Sequence, residues 1–144
     1  MILVDANLLI YAVDTDAPQH TRAKRWLEEA LSGTTRVGLP WVVLLAFIRI
    51  TTRDGILVRP LSPRAALDYV DAWLAQPNAE PVAPGPTHWL RLRNLLESAG
   101  TAGNLTSDAH LAALAIDHGA TLYSADNDFK RFPGVDHVNP LAAR

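Results

Sequence analysis

The chain has 144 residues, a formal net charge of −2 and a pI near 6.2. That length suits one domain that buries a core without cross-links, and 49% hydrophobic with 19% charged residues excludes a disordered chain. With no cysteine, disulfide frameworks, Cys-ligated zinc, iron–sulfur clusters and thiol catalysis are excluded.

In chain order, Ile2-Leu3-Val4 predicts a short buried strand ended by Asp5-Ala6-Asn7, and residues 8–13 predict a helical turn or two. After a loop at 14–17, Pro18 suits the first turn of a helix reaching about Leu31, with Ala23, Trp26, Leu27, Ala30 and Leu31 as one apolar stripe and Gly33 as its close. Residues 36–39 read as a second strand. Pro40 opens a helix over about 41–53 that is apolar almost all round and is expected to be largely buried. Ser62-Pro63 starts a helix ending near Ala75, and Pro81-Val82-Ala83 is a weak third strand. Residues 86–99 form a helix with Trp89, Leu92, Leu95, Leu96 and Ala99 on its apolar face. Thr106 or Ser107 is expected to cap a helix running to His118, which Gly119 stops. Thr121-Leu122-Tyr123 is a fourth strand and 136–138 a short last one.

Strands alternating with helices of ten or more residues predict an α/β fold with a parallel sheet, a single domain over 1–144. No basic segment precedes an apolar stretch at the N-terminus, and the most apolar run, 41–50, is too short to span a bilayer. The expectation is a cytoplasmic chain with no membrane partner.

Ligands of parallel sheets bind beyond the carboxyl ends of the strands. Asp5 and Asn7 follow strand one there, and Ser124, Asp126 and Asp128 follow strand four. Asp108 opens the helix leading into strand four. Each acid has a local role available: Asp5 as a helix cap, Asp108 as a first-turn acid favoured by the macrodipole, Asp126 and Asp128 as turn residues. Together they make a cluster whose charges repel and raise one another's pKa values. A divalent cation relieves that conflict, and oxygen-only ligands suit Mg²⁺ or Mn²⁺. Such a site is equipped for phosphodiester hydrolysis.

Other chemistry finds less support. The five histidines form no zinc spacing, residues 100–103 are not a P-loop, and neither a dinucleotide fingerprint nor a nucleophile elbow is present. Trp26, Trp41, Trp73 and Trp89 sit on apolar helical stripes and read as core or dimer packing. Arg22, Arg25, Arg49, Arg53 and Arg59 are the candidate phosphate contacts, with Arg49 also placed to neutralise the site carboxylates.

The opening 2–10, the segment Thr106-Ser107-Asp108-Ala109-His110 with the apolar run after it, and Ser124-Ala125-Asp126-Asn127-Asp128-Phe129 together resemble the PIN-domain ribonucleases, and more narrowly the VapC toxins of bacterial toxin–antitoxin pairs. The order of these motifs covers nearly the whole chain. The resemblance implies a five-stranded parallel sheet between helices, Mg²⁺- or Mn²⁺-dependent cleavage of RNA, a homodimer, and inhibition by a small VapB-type antitoxin. It implies metal ligands at Asp5, Asp108 and Asp126, with Asp128 the neighbouring acid, Asn7 orienting Asp5, and Ser124 a supporting hydroxyl. One position departs from the family. Its usual glutamate in a Trp–apolar–Glu–Phe–x–Arg pattern falls on Ala46, within 41–49, and the nearest acid, Asp54, lies well beyond it.

Two alternatives stand beside the nuclease. One is a binding module that keeps the fold but has lost catalysis through Ala46. The other is a Mg²⁺-dependent phosphatase, which would want a second Asp at position 7, where Asn stands.

Overall fold

The structure, a computed structural model, describes residues 1–142. Its strands are β1 (Ile2–Val4), β2 (Val37–Pro40), β3 (Ala79–Val82), β4 (Thr121–Tyr123) and β5 (Asp136–Val138). Its helices are α1 (Ala6–Val13), α2 (His20–Ser32), α3 (Trp41–Thr52), α4 (Pro63–Leu74), α5 (His88–Ala99) and α6 (Thr106–Asp117), with 3-10 turns at Gly103–Leu105 and Asn127–Arg131. Every strand pair is parallel, in the order β3-β2-β1-β4-β5. The α/β fold with about five short parallel strands is therefore the fold observed.

β1 lies at the centre of the sheet, and Leu3 and Val4 have no exposed surface. That is why a continuous apolar run, not an alternating one, encodes it. Gly38 completes the packing beside it: a Cβ there would strike Leu3 Cδ2 and stand 2.8 Å from Val82 Cγ2. Register then sets the functional edge. Val4 pairs with Tyr123, and the Asp5 N–H donates to the Tyr123 carbonyl at 2.9 Å, so Asp5 and Ser124 leave the sheet side by side. Leu3 opposite Gly38 brings the start of α3 to the same edge.

Several boundaries shift for local reasons. β3 begins at Ala79 and takes Pro81 inside it, which an edge strand tolerates. α2 begins at His20, because Pro18 sits in a turn closed by the His20 N–H on the Ala17 carbonyl at 3.1 Å. Neither Thr106 nor Ser107 caps α6; the 3-10 turn runs straight into the helix and Thr106 is its first residue.

The expected burial of α3 holds on one side only. Val43, Leu44, Phe47 and Thr51 are buried, whereas Trp41, Leu45 and Arg49, spaced four apart, form an outward row. The tryptophans divide likewise. Trp73 packs edge-on against Phe47 at 4.8 Å and Trp26 stacks on Tyr123 at 5.3 Å. Trp41 and Trp89 stand outside the core, 48% and 67% exposed. Among the described residues, no helix is long and apolar enough to cross a membrane.

Candidate active site

Asp5 is the residue where β1 ends and α1 begins. Its backbone is extended, and its Oδ1 accepts the Ala6 N–H at 2.7 Å, so it does cap α1. Its Oδ2 accepts the Ser124 hydroxyl at 2.7 Å. Capping and site membership thus coexist in one carboxylate. Ser124 is fully buried, and its Oγ also accepts from Asn7 Nδ2 at 3.2 Å and from the Asp126 N–H at 3.0 Å. Asn7 returns the link, its Oδ1 accepting the Ala125 N–H at 3.2 Å. Position 7 is therefore a clamp between α1 and the turn after β4, which suits the orienting role expected of it. The turn has its own cap, since Asp126 Oδ1 accepts the Asp128 N–H at 2.9 Å.

Asp108 lies in the first turn of α6, and no hydrogen-bond donor among the described residues reaches its carboxylate. Burial pushes its pKa up to about 6, helped by the charges of Asp126, Asp5 and Asp128 and opposed by Arg131. The pKa of Asp5 is also raised, first by burial and then by Asp126, against the Ser124 and Ala6 hydrogen bonds and the charge of His137. The four acids read from the sequence are thus brought close enough to sense one another. Asp128 is the outermost, its side chain exposed.

Asp5 and Asp108 line one cavity of about 390 Å³ with Ala46, Arg49, Ser107 and an apolar wall. Ala46, the residue at which the sequence departs from the expected pattern, lines the same cavity as Asp5 and Asp108. Asp54, exposed on the loop after α3, does not line it.

Arg49 lies where expected, but the cation whose charge acts on Asp108 is Arg131. Two other arginines are committed elsewhere: Arg22 donates to the Leu141 carbonyl at 2.8 Å, and Arg59 pairs with Asp16 at 3.0 Å. Sequence reasoning missed both Arg131 and His137. Arg131 stands three residues past Asp128, one turn on in the same segment. The His137 ring Nε2 lies 3.0 Å from the Ser124 carbonyl, on the strand beside β4. His110 packs against His88, Nδ1 to Nε2 at 2.9 Å, in line with a packing role.

In chemistry the donor types suit a hard divalent cation: the candidate side chains carry carboxylate, hydroxyl and amide oxygens, and the Asp108 carboxylate has no hydrogen-bond donor among the described residues. Among the described residues, no three carboxylate or imidazole groups are drawn together around a ready ion position. Asp5 and Asp108 line the cavity, and Asp126 and Asp128 act on Asp108 through their charges from outside its lining.

The family model for the PIN domain matches residues 2–135. Ribonuclease VapC37 of Mycobacterium tuberculosis is 49% identical over 142 residues, 99% of each chain. Ribonuclease VapC33 of the same species is 43% identical over 141 residues, 98% of this chain and 99% of its own. Among solved structures, M. tuberculosis VapC20, described as a Sarcin-Ricin loop cleaving toxin, superposes with a TM-score of 0.69 at 19% identity, covering 94% of this chain and 99% of that one. A chain of VapBC2 from Rickettsia felis, bound to a DNA fragment from their promoter, gives 0.70 at 20% identity, covering 96% and 98%. With the model spanning most of its length and relatives matching end to end, the chain belongs to the PIN-domain family, in its VapC group.

Proposed function

We propose that this protein is a metal-dependent endoribonuclease, the toxin of a type II toxin–antitoxin pair. The observation that carries the reading is Asp5, from the end of β1, and Asp108, from the start of α6, on one cavity, with Asp126 and Asp128 after β4 near enough for their charges to help push Asp108 up to about 6. The relatives named ribonucleases, and the neighbour described as a loop-cleaving toxin, support RNA as the substrate.

Asp5, Asp108 and Asp126 would hold Mg²⁺ or Mn²⁺, with Asp128 alongside. Such an ion supplies polarisation of a phosphoryl oxygen and a water of lowered pKa. The chain's own residues do the positioning. Ser124 and Asn7 fix the rotamer of Asp5, and the Asp126 cap holds the turn that carries it. Arg49 at the cavity and Arg131 near Asp108 offer guanidinium groups to the phosphate backbone.

The partner is a VapB-type antitoxin, as the neighbouring VapBC complexes support. An apolar cavity of about 280 Å³, bordered by Leu27, Leu31, Tyr69 and Trp73, offers it a groove away from the acids. The toxin acts in the cytoplasm as a homodimer.

Incubating purified protein with RNA in Mg²⁺ or Mn²⁺, in EDTA, and as Asp5→Asn tests the reading. Cleavage is expected only with divalent ion and wild-type Asp5, while the variant keeps its circular dichroism spectrum. Asp5→Asn cutting at the wild-type rate overturns the site. Ala46 in the cavity favours a second reading, a PIN-fold binding module. That reading wins if the protein binds antitoxin but cuts no RNA with either ion.

A further inference from the structure

The cavity that holds Asp5 and Asp108 has a second wall with different chemistry. Val42, Leu45 and Ala46 of α3, with Leu111 one turn on from Asp108 in α6, line it along with the acids, and Arg49 stands one helical turn beyond Leu45. Leu45 is 63% exposed at this wall, and Ala46 is only half-buried. A carboxylate side chain at position 46 would project into this space; the alanine methyl leaves it open. The volume of about 390 Å³ falls in the range of roughly 300–1,000 Å³ typical of small-molecule pockets.

We propose that the apolar wall formed by Val42, Leu45, Ala46 and Leu111 is a nucleobase subsite, receiving a base adjacent to the phosphate held at the acids. The inference rests on the nuclease reading above and adds where the substrate's base goes. In RNA each base hangs beside its own phosphate on the ribose. A phosphate drawn to the Asp5–Asp108 side of the cavity therefore sets a base against α3, with the next phosphate in reach of Arg49. The wall offers contact area but few hydrogen-bonding groups, Ser107 being the one neutral hydroxyl in the lining. It reads the presence of a base more than its identity.

The test is an abasic scan. Short RNAs with one abasic ribose at each successive position are compared with the intact RNA, by KM and kcat for cleavage in Mn²⁺. Wild type is expected to lose about tenfold in kcat/KM at one position next to the cut, about what losing the burial of one apolar group costs. Ala46→Phe, which fills the space, is expected to cleave intact and abasic RNA alike at that position. Leu45→Ser, at an exposed site where folding is not at stake, is expected to reduce the penalty in part. Wild type that cuts RNA but gives a flat scan overturns the subsite and leaves the nuclease standing. Wild type that cuts no RNA overturns both. If Leu45→Ser splits a dimer in sedimentation and leaves the penalty unchanged, the wall belongs to a second copy and the proposal fails.

Discussion

The Ser124 hydroxyl donates to Asp5 Oδ2 at 2.7 Å across a separation of 119 residues. This bond joins the two halves of the site, and the buried Oγ that makes it also receives Asn7 and the Asp126 N–H. A single oxygen thus orients three of the functional positions.

Ser124→Ala removes that hub. A buried hydrogen bond to a charged group is worth about 1.5–3 kcal/mol, and the substitution leaves the amide donors of Asn7 and Asp126 without their acceptor. A loss of stability of about 2 kcal/mol is expected by urea denaturation. The bond also lowers the Asp5 pKa, so its removal raises that pKa further and moves the acid limb of the pH–rate profile upward. Unchanged stability together with an unmoved acid limb would count against the hub.

Asp108→Asn tests the electrostatics directly. The folded-state pKa of Asp108 is raised from 3.8 to about 6, so the folded chain binds this proton more tightly than the unfolded chain does. Its contribution is fully present below about pH 4 and is lost as pH rises through 6. In EDTA, wild type is expected to lose stability against the variant over that window. The difference stays at or below about 1 kcal/mol, because solvent screens a half-exposed group. Parallel Tm curves for the two proteins from pH 4 to 7.5 would contradict the assignment.

Ala46→Glu adds a carboxylate to the same cavity. Without divalent ion it increases repulsion with Asp5 and Asp108, so Tm in EDTA falls. With Mg²⁺ the added ligand raises affinity, which calorimetric titration reads. Lower stability in EDTA with no gain in Mg²⁺ affinity would show that position 46 does not face the ion.

Much of this was legible because the informative residues sit at chain transitions. Asp5, Asp108 and Asp126 each begin a helix or turn, so finding the elements found the acids. Periodicity says which residues of α3 lie on one face but not what lies opposite, so the helix reads as largely buried although Trp41 and Leu45 are exposed. The third strand reads as 81–83 and lies at Ala79–Val82, because edge position, which admits Pro81 mid-strand, is a tertiary property. Arg131 and His137 were invisible for a related reason. Each reaches the site only through the path of the 3-10 turn and the pairing of β5 on β4, which no local pattern encodes.

The strand order has a consequence for the timing of synthesis. β1 is made first, yet Asp5 meets its neighbours only when β4 pairs beside it, near the end of the chain. A nascent or prematurely ended polypeptide that stops before Thr121 lacks Ser124, Asp126 and Asp128, and leaves Asp5 unsupported. The acid cluster is assembled by the last part of the chain to appear. A copy that stops there therefore lacks two of the four candidate acids and the hydroxyl that holds Asp5.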